Sequence, residues 1–600
     1  MTILQSLVGL YDRLERRGET IPKQGYAPVR IGFVLELDRD GQPLSLIDIR
    51  DHSQRKPVAP NLLMPAVSRT SGIRPAFLWD KTSYVFGVTG LEGGDGKSLL
   101  PGQGKRTLEE HDAFRTEHCE ALRDADDEGL RALCRFLTSW TPDQWSVAGF
   151  TNDALDQNVA FRLKGDQGRI DERDAAKRLI AARVSPGSGE ATCLVTGDVG
   201  PFASLQPQFK GVVGAQSSGA SLVSFNANAF ESYGLEAGAN APVSDVAAFK
   251  YGAALNWLLD RSHSRTLRLG ETTVVFWADE RSEAGGEEAA KAVEEDLWAA
   301  LGNDEEKDAD AEDSAKIGTA LQDVKDLRHP PDPKLQRETR VHILGLSPNS
   351  GRIAVRFWLV DTFGHLKANL DRHSGDMEIR PPPRNPDQKA NALLFEVAVQ
   401  RKAENIPPRL GGELARAILA GGRYPSTFLS AVVGRIRADK DVNANRAALC
   451  KAILNRLYDQ EVVPVALDPK NTNPAYRLGR LFALIEGAQK AALPGIKATV
   501  KDRFFGAACA TPARVFPLLH KNAMNHLAFV RKERGAGLAH WMEKEIGAIW
   551  SGLSDDLPRA LRLEEQGRFI AGYYHQRFSK ADDAPAEAKA VLENDTEGAA

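Results

Sequence analysis

The sequence predicts an α+β chain: a mixed part with antiparallel hairpins and helices over residues 1–380, then an all-α helical bundle over 388–600. Three observations carry this. Alternating apolar runs joined by turn-forming residues occur at 29–50 and 339–361. The stretch Pro381-Pro382-Pro383-Arg384-Asn385-Pro386 reads as a linker. Beyond it the texture changes to segments of 10–20 residues rich in Ala, Leu, Arg, Glu and Lys, broken by Gly or Pro. A chain of 600 residues exceeds one compact core, so two to four domains are expected.

In chain order, Ile3, Leu4, Leu7, Leu10, Tyr11 and Leu14 fall at helical spacing opposite Asp12, Arg13, Arg16 and Arg17. This amphipathic helix lacks the basic start and small-residue cleavage site of a signal peptide. VRIGFVLELD and PLSLIDIR flank Asp38-Arg39-Asp40-Gly41, a hairpin signal. RTSGIRP is a Gly/Pro-punctuated loop leading into FLWD and an expected short strand, YVFGV. A helix is expected over 107–137, and strands at 191–196 and 272–278. Ser244 caps an expected helix over 245–260, with an apolar face through Val246, Phe249, Ala253, Leu255 and Leu258. TRVHILGLS and RIAVRFWLVD, joined by Pro348-Asn349-Ser350-Gly351, form the second hairpin. No repeat of fixed period is present.

Composition narrows the function. No apolar run approaches the roughly 20 residues of a membrane span. The five cysteines are scattered and form no CxxC pair, which points to reduced cytoplasmic thiols and against a zinc ribbon or iron–sulfur cluster. The net charge of −4 conceals an asymmetry. Residues 280–313 hold 14 acidic and 3 basic residues, a net of −11, so the rest of the chain carries +7. The acidic run, about 280–315, reads as a solvated and disordered insertion.

Catalytic signatures are weak. Gly94-Asp95-Gly96-Lys97-Ser98 lacks the leading glycine of a phosphate-binding loop, and Pro101 and Gly102 follow where a helix is needed. A Gly-rich hairpin loop is expected there instead. His111-Asp112 resembles half of a metal-dependent phosphohydrolase signature, but both residues fit the polar face of the 107–121 helix. HExxH, GxSxG and spaced His/Cys clusters are absent. No catalytic residue, metal site or cofactor is expected.

Two other features point to nucleic acid. From Pro474 to Ser551 there are 12 basic and 5 acidic residues, including Arg477, Arg480, Lys497, Lys501, Arg503, Arg514, Lys521, Arg531, Lys532 and Arg534. Helices with such a surplus follow a phosphate backbone without reading sequence. The second feature is FKGVVGAQSSGASLVSFNANAFESYG, Phe209 to Gly234. Glycine permits close backbone approach, and Ser, Asn and Gln supply neutral donors and acceptors suited to base edges. LVSF at 222–225 reads as the strand that anchors this loop, and Asn226 and Asn228 extend its polar face.

These residues carry a resemblance. KGVVGAQSSGASLVSFNANAFESYG with NAPVSDVAAFKYGAALNWLL resembles the large subunit of type I-C CRISPR surveillance complexes (Cascade). LVGLYDRL, RTSGIRPAFLWDKTSYVFGV, GETTVVFWAD, RLFALIEGAQKA and FFGAACATPARVFPLL resemble that family in the same order. One departure is Ala76, where the family commonly has Asn before Phe-Leu.

The resemblance implies a cytoplasmic, non-catalytic, DNA-binding subunit that recognises the protospacer-adjacent motif of duplex DNA, promotes duplex opening and R-loop formation, holds the displaced strand and docks the helicase–nuclease. The implied partners are CRISPR RNA, target double-stranded DNA, the backbone and guide 5′-end subunits, and small subunits. Motif recognition then falls to Lys210, Gln216, Ser217, Ser218, Ser221, Asn226 and Asn228, with Gln216 as the probe or wedge, and to Arg69, Ser71, Arg74 and Lys81. Displaced-strand binding falls to Arg477, Arg480, Lys497, Lys501, Arg503, Lys521, Arg531 and Lys532. The family also implies that the part from about Arg477 onward can be made separately as a small subunit. Two other readings compete: a metal-dependent nuclease or phosphohydrolase around His111-Asp112, and a general single-stranded nucleic-acid scaffold.

Overall fold

The computed structural model describes residues 2–53, 56–67, 72–92, 99–183, 188–225, 227–280, 284–301, 333–383, 390–553 and 556–578. The fold is α+β, with mixed sheets and helices first and helices alone from about 410 to 578. The chain divides into two compact units, Met1–Pro207 with Ser224–Ala254, and Gln208–Val223 with Leu255–Ala600.

The first unit opens with α1 (Ile3–Arg16). Thr2 Oγ1 accepts the Gln5 N–H while the Gln5 side chain accepts the Thr2 N–H, a reciprocal cap. Leu7, Leu10 and Leu14 are buried, as the spacing predicts. β1 (Tyr26–Arg30) pairs antiparallel with β4 (Asn61–Pro65). β2 (Phe33–Leu37), β3 (Pro43–Asp48), β5 (Trp79–Lys81) and β8 (Asn158–Leu163) form a sheet of order β3-β2-β8-β5. The predicted hairpin is β2 and β3. Asp38 Oδ1 accepts the N–H groups of Asp40 and Gln42, and Gly41 closes the turn at φ +80°. A Cβ at Gly41 would stand 2.6 Å from the Phe136 nitrogen, so glycine also admits the neighbouring helix.

YVFGV is not a strand. Its first two residues end the short helix α2 (Thr82–Val85), and the strand lies earlier, at β5. Phe86 sits among Phe136, Trp140, Trp145 and Phe150, with ring centroids 5.2 to 6.0 Å away. Packing that ring overrides the local β propensity. β6 (Thr89–Glu92) and β7 (Leu99–Gly102) pair antiparallel and flank the Gly-rich stretch, whose residues 93–98 lie outside the described set. Pro101 and Gly102 are therefore in a strand, with no helix to receive a phosphate.

Helices α3 (Thr107–Ala121), α4 (Glu128–Ser139), α5 (Gln144–Ala148) and α6 (Asp174–Arg183) follow. Phe114, Leu133, Phe136 and Ile180 from this set join Phe33, Leu35 and Phe161 of the sheet in one core. The strand expected at 191–196 is shorter and earlier: β9 (Ser188–Thr192) pairs with β10 (Val199–Phe202) across a turn closed by Gly197 N–H to the Cys193 carbonyl. Ser244 Oγ accepts the Ala247 N–H, so it caps α7 (Asp245–Leu259) as expected. Val246, placed on the apolar face from sequence, is 49% exposed, whereas Ala247 and Ala248 are buried.

In the second unit, β11 (Gln208–Phe209), β12 (Ala220–Ser221), β13 (Thr266–Leu269), β14 (Thr272–Ala278), β15 (Arg340–Asn349) and β16 (Arg352–Thr362) form a sheet of order β11-β12-β16-β15-β14-β13. β15 and β16 are the second predicted hairpin, with Asn349 opposite Arg352 across Ser350-Gly351.

Part of the acidic run is not a solvated insertion. Residues 286–301 form α8 (Gly286–Leu301), which buries Ala289, Ala290, Val293 and Leu297. Their spacing of three and four is a helical apolar stripe, which the charge count hid. Glu294 is itself buried, accepting from the Ala278 N–H and from Arg265 at 2.9 Å. The stretch 302–332, with EEKDADAED, lies outside the described residues, as do Arg384, Asn385 and Pro386 of the proline-rich linker.

The remaining helices are α9 (Pro333–Glu338), α10 (Phe363–Met377), α11 (Ala390–Phe395), α12 (Leu410–Leu419), α13 (Ser426–Asp439), α14 (Ala444–Tyr458), α15 (Pro474–Ala492), α16 (Val500–Ala510), α17 (Pro512–Glu533), α18 (Ala536–Ser551) and α19 (Leu563–Phe578). Asn443 and Asn473 cap α14 and α15 through their side-chain oxygens. α15 and α19 cross with their backbones in contact. A Cβ at Gly479 would lie 2.0 Å from the Phe569 oxygen, and one at Gly572 would lie 2.2 Å from the Tyr476 oxygen. One hydrophobic core runs through the unit from Leu267 on the sheet to Tyr574 on α19.

Candidate nucleic-acid interface

The Gly/Ser-rich stretch is a closed loop of the second unit. β11 and β12 pair at Gln208–Ser221 and Phe209–Ala220, and the ten residues between them form the loop. β12 also meets β16 in parallel, at Ser221 opposite Arg352. The anchoring strand is therefore 220–221 and not LVSF, because the chain bends away after that single parallel contact.

The loop is clamped along its length. The Lys210 N–H donates to Asn256 Oδ1 at 3.2 Å, and Asn256 Nδ2 donates to the Gln208 carbonyl at 3.2 Å. The Val213 N–H donates to Thr273 Oγ1 at 3.0 Å. Phe209 and Val212 are buried beneath it. Gly211, at φ +93°, lets the chain pass where a Cβ would stand 3.1 Å from the Leu259 carbonyl oxygen. The Gly219 N–H closes a turn on the Gln216 carbonyl at 3.0 Å. Gln216, Ser217 and Ser218 form the exposed tip of this turn, and Lys210 is exposed at the loop's base. The Gln216 side chain makes no hydrogen bond to a described residue. The loop thus presents three neutral polar side chains on a fixed backbone.

Ser221 is half-buried in β12. Asn228 is exposed, in a 3-10 turn of the first unit, and Asn226 lies outside the described residues. Sequence reasoning missed Asn256, a lone amide in an apolar helix. Its two bonds to loop backbone are a long-range feature that no local pattern announces.

The second candidate segment belongs to the first unit. Arg69 and Ser71 lie outside the described residues, while Arg74 and Lys81 are both exposed. Between them the backbone is pinned. Asp80, fully buried, accepts the N–H groups of Ala76 and Lys81 at 2.8 Å. Leu78, at φ +63°, donates its N–H to His118 Nε2 at 2.8 Å. Ala76 is fully buried beside Ile31, Met64 and Trp79, so position 76 offers no side chain to a ligand here.

His118 must be neutral, because Nε2 accepts from Leu78 and Nδ1 donates to the Phe114 carbonyl at 2.8 Å. Burial holds its pKa down to about 3, from an ordinary value of 6.5. The unfolded chain binds a proton below pH 6.5 that the folded chain refuses until about pH 3, so stability falls as pH drops through that window. His118→Gln keeps one acceptor and one donor without titrating. Unfolding midpoints measured from pH 7 to pH 4 are expected to fall less steeply in this variant than in the unsubstituted chain.

The basic helices divide into paired and free cations. Arg480 is 3% exposed and donates to Gln576 Oε1 at 2.9 Å and to the Pro469 carbonyl, so it holds helices together and faces no ligand. Arg477 is half-buried and bonds the carbonyls of Asn471 and Gly552. Arg531 pairs with Glu543, and Lys532 lies 3.5 Å from Glu533. Lys497, Arg503 and Lys521 are exposed and Lys501 is half-buried. These four have no ion-pair partner among the described residues.

His111 and Asp112 are parted by the helix. His111 is buried, with Nδ1 2.9 Å from the Tyr84 carbonyl and its pKa lowered by burial, whereas Asp112 is exposed beside Arg115. The polar-face placement fails for His111 because α2 packs over it. Among the described residues no group of three or more His, Cys, Asp or Glu could hold a metal ion. None of their helices is long and apolar enough to cross a membrane.

Residues 7–580 match the family model of CRISPR-associated protein (Cas_Csd1), the large subunit of type I-C Cascade. The chain belongs to this family. A Cas_Csd1 chain is a Cascade subunit, and so a partner of other Cascade components and of the CRISPR RNA. No curated protein matches the chain.

Proposed function

We propose that this Cas_Csd1 chain is the non-catalytic reader of the protospacer-adjacent motif in its complex. The loop tip Gln216-Ser217-Ser218 contacts the motif duplex, and Lys210 approaches its backbone. Arg74 and Lys81 are a second contact. The exposed cations of the helical region, Lys497, Arg503, Lys521 and Lys532, hold the displaced strand together with the half-buried Lys501. Duplex opening, R-loop formation and recruitment of the helicase–nuclease follow from that placement. The observation that carries this reading is the clamped backbone beneath an unbonded Gln216. A preorganised amide loses little entropy on meeting a base edge.

The test is the affinity of the reconstituted complex for duplexes with and without the motif. The isolated chain carries a net charge of −4, so tight DNA binding requires the complex. Asn256→Ala removes the two bonds at the base of the loop, leaves the Thr273 clamp, and does not touch the tip. It is expected to weaken motif-duplex binding by about 0.5–1.5 kcal/mol and to leave a pre-unwound target unaffected. Filter binding on the two substrates checks this.

A further inference from the structure

Helix α17 carries an exposed face that extends beyond the cations Lys521 and Lys532. Arg514, Leu518, Lys521, Asn525, Phe529 and Lys532 are all exposed and follow at steps of four, three, four, four and three residues. At 3.6 residues per turn they lie within an arc of about 80°. Val515, Phe516, Leu519, Ala523, Leu527 and Val530 occupy the buried side. Leu518 and Phe529 are nevertheless 52% and 47% exposed. From Pro512 to Lys532 the helix has no carboxylate.

We propose that this face binds single-stranded nucleic acid, with Phe529 stacking on a base and Arg514, Lys521 and Lys532 on phosphates. Aromatic and basic side chains interleaved on one surface suit a strand whose bases and backbone are both accessible. A duplex hides its base faces, so a ring reaches them there only by unstacking a base step. A second copy of the chain is disfavoured, because a two-fold contact would set these cations against one another. Arg514 to Lys532 spans about 27 Å, enough to follow several nucleotides of one strand. The proposal rests on the reading that the helical region holds the displaced strand, and adds the ring that makes the contact specific for unpaired bases.

The experiment uses the reconstituted complex and a single-stranded DNA 20-mer that contains 2-aminopurine and is not complementary to the guide, titrated by anisotropy at several salt concentrations. Phe529→Ala is expected to weaken binding about 5- to 100-fold and to abolish 2-aminopurine quenching, with the salt slope unchanged. Phe529→Trp is expected to bind like the unsubstituted chain, and Phe529→Leu like Phe529→Ala. Lys521→Gln is expected to lower the salt slope by about 0.7. Full affinity in Phe529→Ala or Phe529→Leu, or no single-strand binding at all, overturns the proposal. So does self-association that Phe529→Ala abolishes. If Phe529→Ala is silent while the complex still prefers motif duplexes, the proposal fails alone. If Phe529→Ala acts but motif preference is absent, the functional reading fails and the stacking face stands.

Discussion

Glu486→Ala is expected to destabilise the helical region by about 3–5 kcal/mol, the cost of breaking a buried charge pair from one side. Glu486 is 1% exposed in the middle of α15. Its carboxylate accepts from the Tyr573 hydroxyl at 2.5 Å and from Thr499 Oγ1 at 3.1 Å. Lys490 Nζ stands 3.5 Å away and Arg577 Nε 3.7 Å away. Thr499 is the cap of α16, and Tyr573 and Arg577 lie on α19, so one side chain ties three helices. Truncation leaves a fully buried hydroxyl without its acceptor and takes a countercharge from the buried Arg577. A chain of two units does not unfold in one step, so the measurement is hydrogen exchange of α15 and α19 amides. Glu486→Leu combined with Arg577→Met and Tyr573→Phe is expected to recover most of the loss, because apolar replacement of the charged pair and of the hydroxyl removes the desolvation penalty too. Unchanged protection in Glu486→Ala would show the network to be dispensable.

The elements visible in the sequence were those with a local signature. The two hairpins announced themselves through Asp38-Arg39-Asp40-Gly41 and Asn349-Ser350-Gly351, because turn chemistry is short-range. The long helices after residue 410 did so through a composition rich in Ala, Leu, Arg, Glu and Lys, broken by Gly or Pro. The failures share a cause. YVFGV has strand composition, but the ring cluster around Phe86 decides its conformation. The acidic run conceals a buried stripe in α8, since charge density and apolar spacing coexist on opposite sides of one helix. Arg480 adds to the basic surplus in composition, but α19 covers it through Gln576. The loop was legible in composition. Its rigidity was not, because Asn256 and Thr273 reach it from 46 and 60 residues away.

That rigidity sets the expected result for Gln216→Ala. In the reconstituted complex it is expected to cost about 1–3 kcal/mol on duplexes that carry the adjacent motif, the value of a good amide contact to a base edge. On motif-free duplexes, and on a target already unwound, little loss is expected, because guide pairing supplies the sequence recognition there. Gln216 is exposed and bonds to no described side chain, so alanine leaves the clamps through Asn256 and Thr273 in place. A loss of binding is then a lost contact and not a lost fold. Gln216→Asn, which keeps the amide but draws it back by one methylene, is expected to fall between the two. If Gln216→Ala binds motif DNA normally while Arg74→Ala does not, reading belongs to the segment held by Asp80 and His118. The Gly/Ser loop would then be a packed connection whose glycines serve only the close passage beside Leu259.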